Sequence, residues 1–132
     1  MNGETNLATL LQNMRPSLHE GDYVFCTLSS LTGFDTGQIA CLFREEEGFT
    51  VIIEKVLADT LQLPYSFIAA WITLTVHSSL EAVGLTAAFS SALAAEGISC
   101  NTVAAFYHDH VFVNRKDVDR AMAILNRFAT RG

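Results

Sequence analysis

The residues of this chain with the most reactive side chains in one place are Tyr107, His108, Asp109 and His110. His77 is a further imidazole that a fold could bring to them. Two imidazoles and a carboxylate invite a metal reading, because Zn²⁺ takes nitrogen and oxygen ligands of this kind in a tetrahedral set. The spacing argues against it. Alternate residues of a strand share a face, but the chain turns here, and no convincing fourth ligand is in sight. The same residues also read as a tight turn, with Asp109 accepting hydrogen bonds from backbone N–H groups, or as a contact to a small effector or a neighbouring subunit. A small metal-dependent enzyme using His77, His108, Asp109 and His110 is therefore an alternative. The main reading assigns no catalytic residue, no metal and no cofactor.

Other reactive groupings fail on context. Ser90 and Ser91 fall inside a helical pattern with no Gly-x-Ser-x-Gly turn around them. Gly33 and Gly37 lack the lysine and the strand-loop-helix setting of a phosphate loop. Glu45, Glu46 and Glu47 crowd one hairpin tip and read as a solvated turn. Cys26, Cys41 and Cys100 are odd in number, far apart and form no CxxC pair, which predicts reduced, partly buried thiols.

The elements that must position these residues follow from periodicity. Leu7, Leu10, Leu11 and Met14 form a helical stripe, capped by Thr5 or Asn6 and ended by Pro16. Residues 22–28 alternate β-formers and predict a strand. Residues 29–37 are loop, with Gly33 and Gly37 as breakers. Residues 39–44 and 49–54 predict a hairpin, and 55–63 a short helix ended by Pro64. Ala70, Ile72, Leu74 and Val76 alternate with Trp71, Thr73, Thr75 and His77. The first set should face a helical layer. The second lines the other face, where a Trp predicts an interface. Ser78 and Glu81 fit a capping box, which predicts a helix running to about residue 96 and stopped by Gly97. Strands are expected over 98–107 and 110–114, with a last helix capped by Asn114. Its core stripe is Val118, Ala121, Met122, Leu125 and Phe128. From residue 68 the order is strand, helix, strand, strand, helix, one strand short of a ferredoxin-like βαββαβ unit. Either the first half donates that strand or the two halves pair side by side.

Composition bounds what such a chain can do. Its 132 residues are 50% hydrophobic and only 17% charged, against about 25% charged in an ordinary soluble domain. That excludes disorder and predicts apolar surface that calls for a partner. The net charge is −6, with eight Lys and Arg. No basic stripe exists to neutralise phosphates or an anionic membrane surface. The longest apolar run, 67–76, is about half of a bilayer span. The N-terminus has neither the basic flank nor the apolar stretch of a secretory signal, so the cytoplasm is expected.

The second half closely resembles an ACT domain. The resemblance lies in Trp71-Ile72-Thr73-Leu74, Ser79 to Phe89, Gly97-Ile98-Ser99-Cys100-Asn101 and Tyr107 to Val113, and covers roughly 65–130. The helix at 7–14 and the strand at 22–28 resemble the same family more weakly. The chain is similar to small bacterial proteins built of two tandem ACT-like units, and Tyr107-His108-Asp109-His110 is a signature of that group at a strand-strand turn. The resemblance implies an α+β, ferredoxin-like fold, with antiparallel sheet and helices on one face. It implies a degenerate unit over 1–64 and a well-formed one over 65–132.

It also implies a function. ACT domains generally bind small effectors, most often amino acids, between two ACT units, and regulate metabolic enzymes. The expectation is a stand-alone regulatory protein that binds an amino-acid-like effector and self-associates as a dimer or higher, with a metabolic enzyme as a further partner. In the family the loop between the first strand and first helix supplies backbone amides and a glycine, here 77–84. That assigns His77, Ser78, Ser79, Leu80, Val83 and Gly84 to the effector. A helix N-terminus suits an α-carboxylate, and Glu81 could pair with the α-ammonium. Ser99 and Asn101, on one face of the next strand, complete the set. Family members often carry Gly-Ile-Asn where this chain has Gly97-Ile98-Ser99. The alternative is a module that keeps the fold and binds no ligand.

Overall fold

The computed structural model describes residues 6–76 and 82–130. The chain divides into two units. One joins Met1–His19 to Ala70–Gly132, and the other is Glu20–Ala69.

The first unit opens with helix α1 (Leu7–Asn13). Asn6 caps it, its Oδ1 accepting from the Thr9 N–H at 3.0 Å. Strand β1 (Arg15–Leu18) follows. The unit resumes in strand β5 (Ile68–Thr75), whose residues from Ala70 belong to it. Helix α3 (Leu85–Ala95), β6 (Asn101–Ala104), β7 (Asp109–Asn114), a 3₁₀ turn (Arg115–Asp117) and α4 (Val118–Thr130) complete it. Its strands lie in the order β1-β5-β7-β6. Strand β1 runs antiparallel to β5 with Pro16 opposite Leu74, and β6 antiparallel to β7. This is the ferredoxin-like sheet, and the strand missing from the second half is β1, donated by the N-terminal segment.

One sheet face is the core. Ala70, Ile72, Leu74 and Val76 join Val111 and Val113 beneath Leu10 of α1, Phe89 and Leu93 of α3, and Leu125 and Phe128 of α4. The alternation in the sequence therefore places its apolar set against the helices, as periodicity requires. Asn114 caps the chain's last helical segment, its Oδ1 accepting from the Lys116 N–H at 3.0 Å. Helix α4 then adds Ile124 to the expected stripe, with Met122 only partly buried.

Helix α3 departs from expectation. The capping box of Ser78 and Glu81 lies outside the described residues. Ala82 and Val83 are not helical, and Gly84 is the N-cap at φ +96°. A left-handed residue cannot continue a right-handed helix, so α3 begins at Leu85 rather than just after Ser78. Its end is as expected. Gly97 sits at φ +74°, and the Ile98 N–H donates back to the Leu93 carbonyl at 3.0 Å.

The second unit contains β2 (Tyr23–Leu28), a 3₁₀ turn (Thr36–Gln38), β3 (Ile39–Arg44), β4 (Phe49–Glu54), α2 (Lys55–Thr60) and the first two residues of β5. Strand β4 lies between β3 and β2, both antiparallel to it, and β2 pairs with Ile68 and Ala69. This is the same strand order with the first helix reduced to a loop. Leu31 and Phe34 from that loop pack on a small core of Val24, Cys26, Val51, Ile53 and Ala58.

Candidate effector-binding site

Of the expected effector residues, His77, Ser78, Ser79, Leu80 and Glu81 lie outside the described residues. Val83 is 84% exposed. Gly84 gives α3 no side-chain cap, so the positive end of this helix is open to an anion as far as its N-cap is concerned. A Cβ at Gly84 would stand 3.1 Å from Leu7 Cδ2 of α1. The left-handed turn and the close approach of α1 both require glycine here.

Ser99 precedes β6 and is exposed. Asn101 opens that strand, also exposed, and its Nδ2 donates to the Phe112 carbonyl at 3.3 Å. Between them Cys100 turns the other way, packing on the core with its Sγ 3.4 Å from Thr102 Oγ1. Ser99 and Asn101 thus point to the side away from the core. No hydrogen bond joins them to 82–84 among the described residues.

Only Tyr107 and His108 of the Tyr107-His108-Asp109-His110 run lie in the turn, which is closed by the Ala105 N–H donating to the His108 carbonyl at 3.0 Å, while Asp109 and His110 already belong to β7. Backbone groups hold it. Among the described residues the Asp109 carboxylate makes no hydrogen bond, which departs from the turn-holding role its type suggests. Tyr107 is exposed and meets Phe106 edge-on at 5.0 Å. His108 keeps a buried Nδ1 with no partner among the described residues. Asp109 is buried, and burial pushes its carboxyl above the usual range, with His108 pulling it part of the way back. Strand alternation sends Asp109 to the side of Val111 and Val113, and His110 to the side of Phe112. The two therefore face apart. Among the described residues no three His, Cys, Asp or Glu side chains gather as metal ligands.

His110 belongs to a network on the sheet face away from the helices. Trp71 Nε1 donates to His110 Nδ1 at 3.0 Å. Thr73 Oγ1 lies 3.1 Å from the same nitrogen and 2.6 Å from His19 Nε2. The His19 ring stacks on Trp71, with centroids 3.6 Å apart and planes 5° from parallel. Burial lowers the basicity of both imidazoles. For His110 the neighbouring His108 and His19 lower it further. The alternation at 71–77 pointed to this face. Nothing pointed to His19, a single imidazole after a strand with no apolar rhythm. The Cys26, Cys41 and Cys100 thiols are all free and raised by burial, hence poor nucleophiles.

In the second unit a cavity of about 530 Å³ is lined by Phe25, Cys26, Thr27, Thr50, Pro64, Tyr65 and Ser66. Tyr65 Oη donates to Asp59 at 2.6 Å, and Lys55 pairs with the same carboxylate at 2.9 Å. Among the described residues no helix is long and apolar enough to cross a membrane.

Two ferredoxin-like units with these strand orders define the class. The chain belongs to the ACT domain family, matching it over residues 2–70 and again over 66–127. Among solved structures it is similar to a Vibrio cholerae protein of unknown function, described as a possible transport protein. That likeness has 47% identity and a TM-score of 0.84, over 93% of this chain and 95% of that one. An Agrobacterium tumefaciens protein shares the fold at 15% identity and a TM-score of 0.63, covering 88% of this chain and 89% of its own. So does aspartate kinase from Clostridium acetobutylicum, an allosteric enzyme, at 11% identity and a TM-score of 0.61, over 89% of this chain and 34% of the kinase. No curated protein matches in sequence.

Proposed function

We propose that this chain is a regulatory ACT protein that binds a small amino-acid-like effector where ACT units of neighbouring subunits meet. The observation that carries this reading is the pair of ACT matches, which together run from residue 2 to 127. The fold shared with an allosteric aspartate kinase supports it. Ser79, Leu80, Val83 and Gly84 would offer backbone N–H groups to the α-carboxylate. Glu81 would take the α-ammonium, and Asn101 would reach in from the strand of the facing unit. The mechanism is population shift. An effector that binds one packing of the units more tightly biases the assembly toward it by that difference in affinity.

A thermal-shift screen of the twenty amino acids tests the proposal. A ligand at about 100 times its dissociation constant adds about 2.7 kcal/mol, which raises the melting temperature by roughly 10 °C at this chain length. A melting curve that no amino acid moves would remove the effector and leave a module that acts through protein contacts alone.

A further inference from the structure

On the face of the first unit's sheet away from the helices, two histidines hold one threonine hydroxyl between them and frame the indole of Trp71. We propose that the His19–Thr73–His110 cluster is a proton-operated latch that holds β1 against β5 and releases it on acidification.

The sensing atom is His110 Nδ1. An indole N–H can only donate, so Trp71 requires a lone pair on that nitrogen. The neutral ring therefore carries its proton on Nε2. A second proton, on Nδ1, sets N–H against N–H and ends the bond from Trp71. It also turns the nitrogen from an acceptor into a donor toward Thr73. Among the described residues no carboxylate acts on either ring to receive the new charge. Among the described residues the ionisable groups that act on His110 are the imidazoles of His108 and His19, and β5 contributes no ionisable group across 68–75. Arg15 of β1 is turned away, its guanidinium donating to the Gln12 and Met14 carbonyls. Asp109 faces the core side of β7. Helix α4, carrying Asp119, Arg120 and Arg127, packs on β1 and β7 from the core side as well.

The consequence reaches β1 through Trp71. This indole is the platform on which His19 stacks, and the His19 N–H donates to the Trp71 carbonyl at 2.9 Å, the rung that follows the four-residue ladder of β1. Beyond its ladder to β5 and the contact with α4, β1 buries little of its own, since Arg15, Ser17 and Leu18 are exposed. Loss of the indole's tether loosens the stack, then that last rung, then the ladder.

Hydrogen exchange on the full chain tests the latch. Protection of the Arg15, Ser17 and His19 amides, the ones that face β5, should fall about tenfold between about pH 7.5 and about pH 5.5, after correction for the intrinsic rate, as expected for losing one or two hydrogen bonds. The Phe49–Glu54 amides of β4 should keep theirs. His110→Asn retains an acceptor near the Nδ1 position and cannot be protonated, so its β1 should stay protected at both pH values. In the wild-type protein, an NMR titration of the His110 ring should share its midpoint with the loss of protection. Constant protection of wild-type β1, loss of protection in His110→Asn, or separate midpoints would each overturn the proposal. The wild-type measurements decide the matter even if the variant fails to fold.

Discussion

Gly84→Ala probes the start of α3, where the proposed effector site and the packing of α1 coincide. The backbone there is left-handed, φ +96°, a conformation that costs a residue with a Cβ about 1 kcal/mol or more. The new methyl would stand 3.1 Å from Leu7 Cδ2, so Leu7 must yield by a few tenths of an ångström. Leu7 is partly buried against the main core, and its displacement adds to the backbone term. The sum is about 1–2 kcal/mol. At roughly 3–4 °C per kcal/mol for a chain of this size, the melting temperature should fall by about 4–7 °C. Calorimetry of the two proteins side by side measures it. The variant should also lose most of any amino-acid-induced stabilisation, because the amides at the helix start move with Gly84. An unchanged melting temperature would mean that this glycine is neither left-handed nor pressed against α1, and the account of why α3 starts at Leu85 would fail.

Phe89 of α3 is fully buried; Phe89→Ala should cost about 3–5 kcal/mol, read from the urea midpoint. Asp109 has a raised pKa in the folded state, so its contribution favours folding below the unfolded carboxyl value and is lost as pH rises through the folded one. Asp109→Asn should therefore raise the urea midpoint at about pH 7 and give no gain near pH 3; a loss at neutral pH would reveal a partner for the charged form. His19 and His110 have lowered values, and the sign reverses: stability drains away as pH falls from the unfolded imidazole value through the folded ones, seen as a drop in melting temperature. Phe43 is 68% exposed on the edge strand β3. Phe43→Lys should stay within about 0.5 kcal/mol in folding stability while reducing self-association in sedimentation velocity, and an unchanged mass distribution would clear β3 of that role.

Much of the architecture is legible in the side-chain rhythm. Ala70, Ile72, Leu74 and Val76 identify both a strand and its buried face, because period-two burial leaves no other arrangement. Gly97 marks a helix end by its left-handed turn. The failures have physical causes. Strand β1 reads Arg-Pro-Ser-Leu, mostly exposed, so it carries no alternation and is held by its neighbour instead. Ser78 and Glu81 satisfy a local capping pattern that puts the start of α3 too early, whereas Gly84, six residues on from Ser78, decides the helix start by its backbone conformation. Within the candidate site, Asp109 and His110 stand side by side in the sequence, but the pleat of β7 sends them apart. His19 meets Trp71 only through a pairing that no local window contains.

Strand β1 has one more consequence, for how the protein is made. The unit to which it belongs is interrupted in the chain by all of Glu20–Ala69. Its first-translated segment must therefore wait for the last. While β5, β7 and α4 are still inside the ribosome, the N-terminal segment has no sheet to join, and at about 5–20 residues per second that interval lasts several seconds. The interrupting segment can use the time to form its own hairpin between β3 and β4. A fragment begun at residue 65 would leave β5 with a bare edge and α4 without α1, and should aggregate. The order in which ribosomes deliver the two parts thus runs opposite to the order in which the sheet can close.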